Sequence, residues 1–395
     1  MTRKFLVTGG AGFIGSAFVR LLLEEFPNDC VVNLDLLTYA GNVDNLAGLD
    51  QQRHEFIHGD IADSAVVADA LDGCEAVINF AAESHVDRSI TDCSDFLRTN
   101  IIGTQVLLDV ARSKGVKRFV QVSTDEVMGS LPEDSTDCFN EQSAFAPNSP
   151  YAASKAAAEH LVRAAHHTFG LDTVITRCGN NYGPRQFPEK FLPLIICNAL
   201  NDEQIPVYGD GRNVRDWIYV DDHCRGILTA LQNGRPGGVY NFGARNERRN
   251  LELAESVLAA LGKSQSLLTF VTDRPGHDRR YAIDPSLAER ELGWQPRETW
   301  ESGLAKTIAW YQTNGRWIER VRNNEYREYY RQQYGAQVQT ILGSWSLARV
   351  AWSGRPWASI AVIWAMKFFC TSTTSSTSPT GAPSAKQFSK TSPTS

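Results

Sequence analysis

Across its 395 residues the sequence holds no CxxC pair, no HExxH and no internal repeat. Without such spacings a tetrahedral metal site has no local frame. His166 and His167 are adjacent in a helix-like stretch, where neighbouring side chains diverge, so no metal is expected. Positive charge is also short, with 39 Lys and Arg against 45 Asp and Glu. That balance argues against a nucleic-acid partner, which needs a dense basic patch. A phosphorylated small molecule is still admissible, because a local pair of arginines can grip it. The apolar run 358–366 stops at Lys367 and is too short to cross a bilayer. No charged-then-apolar leader precedes the first strand-like run. No membrane partner is therefore expected. The cysteines, Cys30, Cys74, Cys93, Cys138, Cys178, Cys197, Cys224 and Cys370, stand singly. They can form a disulfide framework or stay free; a leaderless chain of this length favours free thiols in a reducing, cytoplasmic setting.

What is present is a rhythm. Hydrophobic residues make up 42% and charged residues 21%, so a buried core is expected. Residues 5–8, 31–35, 56–58, 76–80, 119–123 and 173–177 read as strands. Residues 16–25, 65–71, 100–114 and 151–169 read as helices between them. Alternation of this kind implies an α/β fold with a parallel sheet covered on both faces. From about Asn180 the rhythm loosens. Residues 239–242 read as one more strand of the sheet, and 254–261, 286–291 and 301–315 as helices of a smaller, mostly C-terminal lobe. The expected division is 1–180 with a sheet segment near 214–245, a lobe over 181–335, and a disordered tail over 336–395.

Thr8-Gly9-Gly10-Ala11-Gly12-Phe13-Ile14-Gly15 ends the first strand and opens the first helix. Glycines alone are a weak signal; their place in a strand–turn–helix gives them weight. Gly9 permits the tight turn, Gly12 lets the backbone approach a pyrophosphate, and Gly15 allows close helix–strand packing. The helix N-terminus, with Phe13 and Ile14, offers free N–H groups and a positive dipole end. This predicts a Rossmann-type doubly wound sheet with a dinucleotide at the carboxyl ends of its strands. Asp35 closes the second strand and can accept hydrogen bonds from both ribose hydroxyls, or serve as a strand-end cap. The next residues, from Leu36 and Thr38 to Ala40, include no Arg or Lys to receive a 2′-phosphate, which favours NAD over NADP. Asp60 and Ile61, with Phe80, Ala81 and Ala82, would border the adenine and pyrophosphate.

Ser149 and Pro150 read as the N-cap and first residue of a helix, placing Tyr151 and Lys155 one turn apart on one face. A lysine ammonium there should lower the phenol from its usual ~10 and make a base for a sugar hydroxyl. Upstream, Thr124 can bond the same hydroxyl, and Asp125-Glu126 follow it. Simple hydride transfer has no need of two carboxyls, whereas eliminating water needs an acid and a base that neighbouring carboxyls can divide.

These residues resemble the extended short-chain dehydrogenase/reductase superfamily and, within it, the dTDP-glucose 4,6-dehydratases, over about residues 4–335. Besides the glycines and YxxxK, the resemblance rests on segments 34–42, 81–89, 123–127, 180–184, 208–217 and 273–281. The threonine–Asp–Glu run discriminates most, since related epimerases and decarboxylases lack the carboxyl pair. The resemblance implies oxidation at C4 with Tyr151 as base, elimination with Glu126 taking the C5 proton and Asp125 protonating the 6-hydroxyl, and reduction at C6. It places Thr99 and Asn181 near NAD. A nucleotide-activated hexose would be bordered by Ser84, His85, Asn180, Lys190, Pro206, Tyr208, Arg215, Asn250, Asp273, Arg274 and His277. Arg215 and the arginines after His277, Arg279 and Arg280, suit a diphosphate through bidentate bonds. Met128 stands where the family commonly has tyrosine, and Phe191 where it has leucine. The family's usual homodimer would pack residues 100–114 and 151–169. A 4-epimerase or decarboxylase would keep the glycines, Tyr151 and Lys155 without use for Asp125 and Glu126. A dinucleotide-sensing regulator would be expected to lose the tyrosine or lysine.

Overall fold

The computed structural model describes residues 2–334; the segment 336–395, expected to be disordered, lies outside the described residues. Strands β1 (Lys4–Thr8), β2 (Cys30–Asp35), β3 (His54–His58), β4 (Ala76–Asn79), β5 (Arg118–Val122) and β6 (Thr173–Cys178) form where the apolar runs predict them. After them come β7 (Asn180–Tyr182), β8 (Ile205–Tyr208), β9 (Val214–Tyr219), β10 (Gly238–Phe242), β11 (Glu247–Arg249) and β12 (Leu268–Val271). Seven strands make one parallel sheet in the order β10-β6-β5-β4-β1-β2-β3. Except at the edge strand β3, their side chains are buried on both sides. One face packs Val7, Phe18, Leu22, Val31, Ile78 and Val120, the other Leu6, Leu34, Val77, Leu107, Phe119 and Val162. Burial on both faces is why these strands read as continuous apolar runs rather than alternating ones. Strand order reverses between β1 and β4, which opens a crevice at their carboxyl ends.

The stretch expected as one helix over 100–114 is divided. A short helix, Ser94–Phe96, runs into a π-helical segment, Leu97–Gly103, before the α-helix Thr104–Ser113. The wider turn carries Asn100, whose amide bonds Glu83 N and O, each at 3.0 Å, and Ser154 Oγ at 2.8 Å. Gly103 faces Ile61, whose side chain would lie 2.6 Å from an added Cβ.

Beyond residue 180 the structure holds elements the periodicity did not disclose. Helix Phe191–Leu200 is apolar nearly all round, so it has no 3.6-residue stripe to read. It packs with Asn250–Leu261 and Trp300–Thr313 into a second core around Leu192, Ile195, Val257, Leu304, Tyr311 and Trp317. Helix Val220–Asn233 opens on Asp221-Asp222-His223, a polar start that hid it, yet it lies against the main sheet through Cys224, Ile227 and Leu231. The smaller sheets, β11-β9-β7 and β12-β8, carry side chains to the crevice.

Candidate active site

Gly9 sits at φ +68°, and an added Cβ would lie 2.6 Å from Ala81 N. The position therefore demands glycine twice, for its dihedral and for its space. Gly12 is the N-cap of helix Phe13–Glu25, with no side-chain cap and no acidic residue in the first turn. Its N–H groups and dipole are left for an anion. A Cβ on Gly15 would strike the Gly9 carbonyl, so the close approach is between helix and glycine loop rather than helix and strand. Asp35 is 8% exposed. Its Oδ2 accepts from Ala11 N at 2.9 Å and its Oδ1 from Leu37 N at 2.8 Å. Burial raises its pKa, and those two N–H groups oppose the rise. It is thus both a strand-end cap and a wall of the cavity.

One cavity is lined by every expected cofactor residue: Gly9, Gly12, Phe13, Ile14, Gly15, Asp35, Leu36, Thr38, Asp60, Ile61, Phe80, Ala81, Ala82, Ser84, Thr99, Tyr151, Lys155 and Asn181. Tyr39, Phe187, Gln186 and Glu189 line it as well, unannounced by any spacing. The lining cations are Lys155 and Lys190, neither of them beside Asp35 in the chain. A glycine cradle at a helix N-terminus, with a carboxylate and no Arg or Lys beside it on the lining, fits NAD better than its 2′-phosphate form. Asn181 is held by His223, Nδ1 to Oδ1 at 2.9 Å. Burial brings that imidazole down to about 3, so it is neutral.

Ser149 accepts from Ala152 N at 3.1 Å, with Pro150 inside the first turn. The helix they start, Pro150–Phe169, buries both Tyr151 and Lys155. The expected pull of Lys155 on the tyrosine is not what the structure contains. Lys155 Nζ donates to Val122 O at 2.7 Å, and burial lowers it to about 8. Tyr151 is instead pushed well up by burial, then by Glu126, Cys178 and Asp125, with a hydrogen bond to Thr124 opposing. Burial and the surrounding carboxyls thus oppose the phenolate, while the Lys155 ammonium is turned to Val122 O.

Thr124 caps a single turn, Asp125–Met128, accepting from Glu126 N at 3.2 Å. Asp125 is 2% exposed, its Oδ2 has no partner, and Thr124 Oγ1 donates to its Oδ1 at 3.3 Å. Burial, Glu126 and Asp216 drive its pKa well up. Burial also raises Glu126, but Arg274, Lys190 and Arg215 oppose the rise. Adjacent carboxyls are therefore separated in acidity by what faces each of them.

A second cavity is lined by His85, Asn180, Lys190, Pro206, Tyr208, Arg215, Asn250, Arg274 and His277, together with Phe191, Trp217, Tyr281 and Tyr334. Ser84 and Thr124 line the first cavity alone, whereas Glu126, Asn180, Glu189 and Lys190 line both. Asp273 lines neither; it bonds His277 Nδ1 at 2.6 Å. Burial, with Arg274 and Arg215, brings His277 down to about 4. Arg279 and Arg280 are also elsewhere, engaged by Glu133, Asp210 and Glu247 at 2.7–2.9 Å. Arg274, not they, joins Arg215 on the wall. Met128 borders neither cavity and packs with Val127, Phe139 and Ala156. Among the described residues no three His, Cys, Asp or Glu are grouped to hold a metal. The His166 and His167 rings do not diverge, their centroids being 5.2 Å apart.

Residues 6–307 match the family model described as GDP-mannose 4,6 dehydratase. The chain is 51% identical over 345 residues to a dTDP-glucose 4,6-dehydratase of Xanthomonas campestris pv. campestris (strain B100), covering 82% of this chain and 97% of that one. It is 47% identical over 357 residues to a dTDP-glucose 4,6-dehydratase of Shigella flexneri, covering 84% and 99%. A dTDP-glucose 4,6-dehydratase from Streptomyces venezuelae, solved with NAD bound, superposes with a TM-score of 0.78 at 51% identity over 80% of this chain and 99% of that one. A UDP-glucose 4-epimerase from Thermotoga maritima, solved with UDP-glucose, reaches 0.73 at 30% identity over 78% and 98%.

Proposed function

This chain belongs to the GDP-mannose 4,6 dehydratase family and, within it, to the dTDP-glucose 4,6-dehydratases, and we infer that it is an NAD-dependent hydro-lyase converting dTDP-glucose to its 4-keto-6-deoxy product. NAD, when bound, supplies a reversible two-electron acceptor, so the sugar is oxidised at C4 and reduced at C6 with no net redox change. Gly9, Gly12 and the following helix N-terminus would hold its pyrophosphate, and Asp35 its ribose. Tyr151, as the phenolate that the positive charges of Lys155 and bound NAD would favour, takes the C4 hydroxyl proton, with Thr124 fixing that hydroxyl. The new ketone acidifies C5–H. Glu126, faced by three cations, takes that proton, while Asp125, kept protonated by burial, gives one to the departing 6-hydroxyl. Glu126 returns a proton to C5 as C6 is reduced.

The observation that carries this reading is the unequal pair on one turn, Asp125 and Glu126, beside Tyr151. An epimerase has no use for it. The test is mass spectrometry of dTDP-glucose incubated with purified protein in deuterated water, without added cofactor. Loss of one water with deuterium at C5 is expected. Unchanged mass from folded, NAD-loaded protein overturns the dehydratase reading, and an isomerised sugar at that mass means epimerisation.

A homodimer is part of the same proposal. Ile102 and Phe169 are 54% and 53% exposed on the segments that would pack, and light scattering at twice the monomer mass would support it. The described cysteines are free, as a reducing cytoplasm would keep them. No helix among the described residues is long and apolar enough to cross a membrane.

A further inference from the structure

Asp87 stands in the first turn of helix Val86–Thr91, 6% exposed, on the wall of the second cavity. A carboxylate so buried is costly unless donors fill its lone pairs. Here the donors come from three segments remote in sequence. Arg274 Nη1 lies 2.6 Å from Oδ1, and Tyr208 OH 3.0 Å from Oδ2. Gln333 Nε2 reaches Oδ2 at 3.4 Å and donates to Tyr208 OH at 2.6 Å. Burial by itself would raise Asp87, yet Arg274 holds it below the usual carboxylate range.

The donors are not scattered structural groups. Arg274 and Tyr208 both line the second cavity, as does Tyr334, the neighbour of Gln333. Tyr208 also meets His277 edge-on, with ring centroids 5.9 Å apart. The ion pair engages Arg274 through Nη1, while its buried Nε has no partner. A guanidinium held at one corner keeps its plane while retaining donors for another anion.

We propose that Asp87 is a positioning residue for nucleotide binding: it orients Arg274 for the diphosphate and Tyr208 as a cavity wall, and ties both to helix Asn324–Tyr334 through Gln333. This rests on the reading that the second cavity takes the nucleotide of a nucleotide sugar. The residue acts on binding rather than bond-making. Arg274 tempers Glu126 together with Lys190 and Arg215, so releasing it should touch the chemical step less than binding.

The experiment compares wild type, Asp87→Asn and Gln333→Leu by calorimetry with dTDP and by turnover of dTDP-glucose. For Asp87→Asn, Kd for dTDP and KM should rise together by roughly 10–100-fold, as misplaced binding groups typically cost, with kcat within about threefold. Gln333→Leu removes a donor without altering charge, and a rise of roughly fivefold is expected. A Kd within about twofold of wild type for folded, NAD-loaded Asp87→Asn overturns the proposal, as does a fall in kcat at unchanged KM. Should Asp87→Asn fail to fold, Gln333→Leu decides, and an unchanged Kd there overturns the proposal. If wild type turns over dTDP-glucose yet neither variant weakens dTDP, Asp87 alone is misread. If wild type binds no dTDP, the nucleotide-sugar reading falls and takes this proposal with it.

Discussion

The two cavities share Glu126, Asn180, Glu189 and Lys190 but are built from different material. The first is largely backbone: a glycine turn, a helix N-terminus left uncapped by any side chain, and one carboxylate bonded to two N–H groups. The second is built from charged side chains already engaged within the protein. Lys190 donates to Ser84 O at 2.6 Å, Arg215 to Asp278 O at 2.9 Å and Arg274 to Asp87 at 2.6 Å. The contrast has a physical origin. Backbone N–H groups at a helix end carry partial charge and can wait solvated for an anion. A buried full charge needs an acceptor at all times. The first cavity should therefore be sensitive to an added atom, the second to a lost counter-charge.

The sharpest test lies where the cavities meet. Tyr151→Phe and Glu126→Gln should each lower kcat by about 10²–10⁴, the usual worth of a positioned acid or base, while dTDP and NAD still bind. Glu126→Gln should in addition stop deuterium entering C5, which quenched-flow mass spectrometry reads.

Next in size is a pH effect at Asp216, behind the second cavity's wall and next to Arg215 on β9. Asp216 is 1% exposed and its Oδ2 has no partner, and burial raises it to about 6. Because its folded pKa exceeds its unfolded value, the stability it adds is complete below about pH 4 and lost as pH rises to about 6. Urea unfolding of Asp216→Asn should lack that loss, gaining on wild type by up to about 3 kcal/mol between those limits. Parallel pH dependence in both proteins would refute the assignment.

Gly9→Ala would strain a φ of +68° and press on Ala81, costing about 1–3 kcal/mol. NAD affinity should fall by roughly tenfold or more with dTDP affinity unchanged; equal loss of both would break the distinction between the cavities. The smallest expected effect is Asp35→Asn. It should weaken NAD by about fivefold and narrow the preference over NADP, since one charge-assisted bond is lost and one repulsion removed.

Legibility follows the same division. The cofactor cavity was readable because its requirements are local: Gly9 to Gly15 are contiguous, and Asp35 ends the adjacent strand. Tyr151 and Lys155 share one helix, and Asp125 and Glu126 one turn. The second cavity was reached through resemblance, which does not separate residues on a wall from those behind it. Asp273 bonds His277 behind the wall, Arg279 and Arg280 bond Glu133, Asp210 and Glu247, and no spacing within segment 81–89 gave Asp87 its partners Arg274, Tyr208 and Gln333. Helix Phe191–Leu200 escaped because a helix buried all round has no polar face to mark its period.

The sequence by itself determined the parallel sheet, the glycine turn and the order of the catalytic groups, because each depends on short-range backbone geometry and apolar periodicity. Only the tertiary structure decided what those groups are. It settled Lys155 on Val122 O. It set Asp125 apart from Glu126 by bringing Asp216 near one and Arg274 and Lys190 near the other, with Arg215 acting on both. Acidity depends on burial and on charges that residues far along the chain deliver, and no spacing within a motif encodes those.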